Sequence, residues 1–163
     1  MNRIRGRAVC GPEGAKRLQE PWLTAMGLPM SETDVRMVNP LQMAYVGDAV
    51  HALFVRTRLF AGGENVGRMH RQASRSVSAA AQSHALARLE PLLTLQEADI
   101  VRRGRNAHAH HAAPKHADPA DYSRATALEA LLGYLYLSGQ TQRLAQLLEA
   151  AYVQDGRTGQ THG

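Results

Sequence analysis

The sequence predicts a single all-helical domain, and three observations carry that prediction. Capping residues stand at the head of apolar stretches at Asn39-Pro40, Thr94 and Thr141. Glycines close such stretches at Gly62-Gly63, Gly104 and Gly139, and nothing reads convincingly as a strand. At 163 residues and 44% hydrophobic content, the chain is sized for one unit with a core of its own.

Residues 1–36 mix Arg3, Arg5, Arg7, Gly6, Gly11, Pro12, Gly14, Pro21 and Pro29 without helical or strand periodicity, so they read as a flexible basic extension. Trp22, Leu23, Met26 and Leu28 could form a short turn docked on the domain. The folded unit is expected over residues 37–153, with 154–163 a disordered tail. Cys10 is the sole cysteine, so neither a disulfide framework nor a thiolate zinc site can be built within the chain.

Asn39-Pro40 pairs a capping residue with proline at the first helical position, and Gly62-Gly63 ends the helix about 20 residues later. Leu41, Tyr45, Ala49, Leu53, Phe54 and Val55 want burial, which places this helix at the centre of the fold. A second helix is expected from Met69 to Leu89, closed by Pro91. Thr94 with Glu97 has the spacing of a capping box, opening a short helix that ends at Arg102-Arg103-Gly104. Arg105 to Pro119, with His108, His110, His111, His116, Pro114 and Lys115, reads as a polar solvent-facing loop. Asp121 can cap a helix running to Ser138, and Thr141 a last one carrying Leu144, Leu147, Leu148, Ala151 and Tyr152.

Lysine and arginine outnumber aspartate and glutamate 19 to 14, giving a formal charge of +5 that favours a polyanionic partner. No run approaches the roughly 18 apolar residues of a spanning helix, and no apolar stretch follows the first arginines as in a secretory signal. The reading is a soluble, cytoplasmic protein without membrane partners.

Two acids are out of keeping with their helices. Asp48 is flanked by Ala44, Tyr45, Ala49, Ala52 and Val55, and Glu129 by Leu128, Ala130, Leu131, Leu132 and Tyr136. A charge enclosed by such neighbours loses several kcal/mol of hydration unless compensated. Gly47 precedes Asp48 and Gly133 lies one turn after Glu129, although glycine disfavours a helix by about 1 kcal/mol relative to alanine. If the helices cross at these glycines, both carboxylates can point into one cleft and share a hard divalent cation such as magnesium. The competing reading pairs each acid with an arginine, from Arg56, Arg75 or Arg124. Pattern alone leaves both open.

The stretches Leu41-Gln42-Met43-Ala44-Tyr45-Val46-Gly47-Asp48-Ala49-Val50 and Ala125-Thr126-Ala127-Leu128-Glu129-Ala130-Leu131-Leu132-Gly133-Tyr134 resemble the two signature helices of the ribonuclease III endonuclease domain. Arg103-Gly104-Arg105-Asn106-Ala107, followed by Pro114-Lys115, resembles in particular Mini-III, the bacterial branch lacking a separate double-stranded-RNA-binding domain. The likeness runs from about Leu41 to Tyr152.

The resemblance implies an all-α endonuclease domain that works as a homodimer, with Asp48 and Glu129 as the catalytic, metal-holding acids. The implied cofactor is Mg2+, for which Mn2+ can substitute. Larger ribonuclease III enzymes carry further acids where this chain has Ala44 and Thr126, so more water is expected in the metal shell. The implied activity is hydrolysis of double-stranded RNA to 5′-phosphate and 3′-hydroxyl ends, with precursor 23S ribosomal RNA the implied substrate. Candidate RNA contacts are Arg71, Arg75, Arg103, Arg105, Asn106 and Lys115. The alternative is a non-catalytic RNA-binding or ribosome-associated module on the same fold, motivated by the missing accessory acids.

Overall fold

A computed structural model describes residues 26–107 and 118–152 of the chain. Among these, every regular element is helical: α1 (Glu32–Met37), α2 (Pro40–Ala61), α3 (Val66–Ser76), α4 (Ala79–Leu89), a 3₁₀ turn (Glu90–Leu92), α5 (Leu95–Asn106), α6 (Pro119–Leu137) and α7 (Thr141–Tyr152). No helix among them is long and apolar enough to cross a membrane. Trp22, Leu23, Cys10, Lys115 and the four loop histidines lie outside the described residues, as does the tail from residue 153.

Local chemistry sets most of the helix starts. The Asn39 side chain accepts from the Leu41 N–H at 2.9 Å, with Pro40 in the first turn, where its missing N–H is no loss. Thr94 and Glu97 form a complete capping box, the Thr94 N–H donating to the Glu97 carboxylate at 2.8 Å.

The helix at the centre is α6, which packs on α2, α4 and α5 and buries ten of its residues, among them Leu128, Leu131, Leu132, Tyr134 and Leu135. A helix apolar on nearly every side must be enclosed. The expected central helix, α2, instead lies across α6 and buries a narrow line: Met43, Ala44, Gly47, His51 and Val55. Of the apolar residues expected inside, only Val55 is buried, whereas Tyr45 and Leu53 are 83% and 68% exposed. An outward apolar stripe has the same spacing as a core-facing one, so the sequence cannot tell them apart.

Three boundaries also differ from expectation. The single helix expected over residues 69–89 is two, because Ser78 turns to an extended backbone and its hydroxyl accepts from the Ala81 N–H, starting α4 afresh. Gly104 does not end α5. It is buried inside the helix, where an added Cβ would lie 2.9 Å from the Ala127 Cα, so glycine here permits close packing on α6. The cap of α6 is Asp118, not Asp121, with Pro119 at the first helical position. The folded unit also reaches back before residue 37: Val35 on α1 is fully buried and the Met30 N–H donates to the Leu137 carbonyl.

Candidate active site

Gly47 on α2 and Gly133 on α6 meet where the two helices cross. A Cβ on Gly47 would overlap the Glu129 carbonyl oxygen, and one on Gly133 would overlap the Met43 carbonyl oxygen. Only two backbones stripped of side chains can approach this closely. The crossing brings Asp48 and Glu129 together, since each stands within one turn of its glycine. Their charges are felt across the gap: burial, reinforced by the negative charge of Asp48, pushes the Glu129 carboxyl up to about 7, opposed only by hydrogen bonding from the Gln82 side chain.

The two acids differ in setting from what their neighbours suggest. Glu129 is half-buried, but Asp48 is exposed. Neither forms an ion pair among the described residues. Arg124, one candidate partner, is committed elsewhere, donating to Ser83 at 3.1 Å and to Glu90 at 3.5 Å. The positions of the missing accessory acids offer no ligand: Ala44 is buried, and the Thr126 hydroxyl donates to the Tyr122 carbonyl at 3.1 Å. Accordingly no group of three or more His, Cys, Asp or Glu side chains converges as a metal cage among the described residues.

Behind the acids lies a buried polar chain with no counterpart in the sequence reading. His51, one turn after Asp48, is fully buried; its Nε2 bonds the Tyr152 hydroxyl at 2.5 Å and its Nδ1 accepts from the Gln82 amide at 3.3 Å. The rings of His51 and Tyr152 stack at 5.4 Å. Burial holds the imidazole near pKa 4, against a smaller pull from Asp48, so the ring is neutral at pH 7. Gln82 is 2% exposed and also donates to the Val77 carbonyl, so it ties α4 to α2 beside Glu129. The available signal was a histidine one turn past the aspartate on an otherwise apolar helix, but its partners come from distant segments.

The candidate RNA contacts fall into two groups. Arg71 and Arg75 are exposed on α3, a surface helix with no buried residue. Arg103, Arg105 and Asn106 are at the end of α5. There Arg103 donates to the Arg36 and Val38 carbonyls, pinning the α1–α2 junction, and Arg105 pairs with Glu90 at 2.6 Å. Those two guanidiniums are therefore partly engaged within the fold, whereas Asn106 is exposed.

With this geometry established, comparison with known proteins gives the family. Residues 41–140 match the model of the ribonuclease III domain. The chain is 55% identical over 113 residues to the Mini-ribonuclease 3 of Symbiobacterium thermophilum, covering 69% of this chain and 86% of that relative. It is 45% identical over 121 residues to the Mini-ribonuclease 3 of Brevibacillus brevis, covering 74% and 90%. The crystal structure of protein FN1578 from Fusobacterium nucleatum superposes with a TM-score of 0.68 at 24% identity, over 75% of this chain and 98% of that one, a likeness of fold. The chain is an endoribonuclease that belongs to the ribonuclease III family, in its Mini-ribonuclease 3 branch.

Proposed function

We propose that this endoribonuclease is magnesium-dependent, cuts double-stranded RNA as a homodimer, and matures the ends of precursor 23S ribosomal RNA in the cytoplasm. The observation that carries the metal reading is the unneutralised pair itself. Asp48 and Glu129 meet at the α2–α6 crossing with no ion pair to either among the described residues, and the Glu129 carboxyl is held near pKa 7. Two oxygen donors of like charge fit a hard divalent cation, which would relieve the repulsion and take waters for its other positions. Bound there, magnesium would polarise the scissile phosphate and lower the pKa of an attacking water.

The remaining work falls to side chains of the chain. Asp48, the more exposed of the two, meets incoming phosphate first. Glu129, deeper, gives up its proton as the site fills, and Gln82 restrains it. In-line attack with departure of the 3′ oxygen leaves 5′-phosphate and 3′-hydroxyl ends, with no covalent protein intermediate.

The dimer reading is supported by α2. Tyr45, Leu53 and Phe60 are 83%, 68% and 74% exposed, and at helical spacing they form one outward stripe that also takes in Ala49. Large exposed apolar side chains aligned this way mark an interface. Asp48 borders the stripe, so a two-fold pairing along α2 would set two cleavage sites near each other, as two cuts in one duplex require. The wide minor groove of A-form RNA, lined by 2′-hydroxyls and phosphates, suits the cationic surface of α3 and the end of α5.

The test is cleavage of a double-stranded RNA, and of a precursor 23S terminal stem, by purified wild type and Asp48→Asn. Magnesium-dependent products from the wild type and at least a hundredfold loss in the folded variant are expected. Cleavage by Asp48→Asn at the normal rate would overturn the assignment.

A further inference from the structure

Between α2, α3 and the end of α7 lies a cavity of about 360 Å³, lined by Phe54, Arg58, Leu59, Gln72, Arg75 and Tyr152 among others. That volume is in the range of small-ligand pockets and far too small for a duplex. The Arg58 guanidinium sits over the Phe54 ring, 5.6 Å from its centroid, and the Tyr152 ring lies beside Phe54 at 5.8 Å. Neither Arg58 nor Arg75 forms an ion pair among the described residues, although Arg68 of the same α3 is paired with Glu64.

We propose that this cavity takes one unpaired nucleotide of the RNA substrate. The base would pack against the wall of Arg58, Phe54 and Tyr152, its edge meeting the Gln72 amide and its phosphate meeting Arg75. Each part follows from the chemistry of the lining. Aromatic rings and guanidinium planes are the surfaces on which unstacked RNA bases settle. A second guanidinium, that of Arg75, with no ion pair among the described residues, matches a phosphate in planar, two-bond fashion.

The carbon-rich wall of Phe54, Leu59 and Tyr152 has nothing to offer a bare phosphate. A paired base, stacked on both faces and engaged at its edge, cannot enter. Position favours RNA over other anions as the source: Arg58 follows Asp48 by ten residues on the same helix, about 15 Å along it, so a strand held at the carboxylates passes within a few nucleotides of the cavity. The inference rests on RNA being the substrate but not on metal chemistry.

The full chain is tested for binding by fluorescence anisotropy, with chelator and no divalent ion. The probes are a blunt RNA duplex, the same duplex bearing a short single-stranded 3′ overhang, and adenosine 5′-monophosphate as competitor. The overhang is expected to tighten binding about tenfold, roughly what one stacked base contributes. Adenosine 5′-monophosphate should remove that gain without displacing the blunt duplex. Arg58→Ala, and equally Arg58→Lys, which keeps the charge but not the plane, should lose the gain while blunt-duplex binding stays within about twofold.

Equal binding of the two duplexes overturns the proposal. So does full retention of the gain by Arg58→Lys, which would reduce the site to a charge, or a matching loss on both duplexes. Failure of the blunt duplex to bind at all would count instead against the double-stranded substrate, leaving the two readings distinguishable.

Discussion

Gly47 and Gly133 face each other across the α2–α6 crossing, each occupying the space that the backbone of the opposite helix needs. The approach of Asp48 to Glu129 depends on that contact. Gly47→Ala or Gly133→Ala should force the helices apart and destabilise the fold by about 3 kcal/mol, in the range of severe overpacking. Chemical denaturation measures the loss, and unchanged stability in both variants would refute the close crossing.

Glu129 makes a pH-dependent contribution of definite sign. Its folded pKa, about 7, lies above the ordinary 4.5, so without metal its contribution to stability is fully present below pH 4.5 and lost as pH rises through 7. Glu129→Gln should therefore stabilise the metal-free protein at pH 8, by up to about 3 kcal/mol, with little effect at pH 4, while removing activity. Urea denaturation at the two pH values is the check. On the proposed metal site, binding would displace this proton, so apparent magnesium affinity should weaken up to tenfold per pH unit below 7.

His51 acts in the opposite direction. Its pKa falls from 6.5 to about 4, so it favours folding above pH 6.5 and that contribution is lost as pH falls towards 4, about 3 kcal/mol in all. His51→Gln, which cannot take up the proton, should flatten the acid limb of the stability curve. A limb as steep as that of wild type would show that His51 is not the group responsible.

Much of this was legible in the sequence wherever the cause is local. The caps at Asn39 and Thr94 work within one turn, and the glycines beside Asp48 and Glu129 announced a crossing because a helix does not otherwise tolerate them well. The burial of α2 was not legible, since Tyr45 and Leu53 have the spacing of core residues yet face outward. Gln82 and Tyr152 stood in unremarkable helices, and only the folded chain brings them to His51 across 31 and 101 residues.

The outward stripe makes its own prediction. Leu53→Glu sets a charge in the middle of the proposed pairing face at a side chain that is 68% exposed. Sedimentation should show a dimeric wild type and a folded, monomeric variant; a monomeric wild type would contradict the pairing.

Manganese soaked into crystals tests, through anomalous scattering, whether Asp48 and Glu129 jointly hold a divalent ion. A peak within bonding distance of both carboxylates, about 2.0–2.2 Å, is expected in the wild type and should be absent in Asp48→Asn. A manganese ion bound elsewhere, with the Asp48–Glu129 cleft empty at saturating metal, would contradict it.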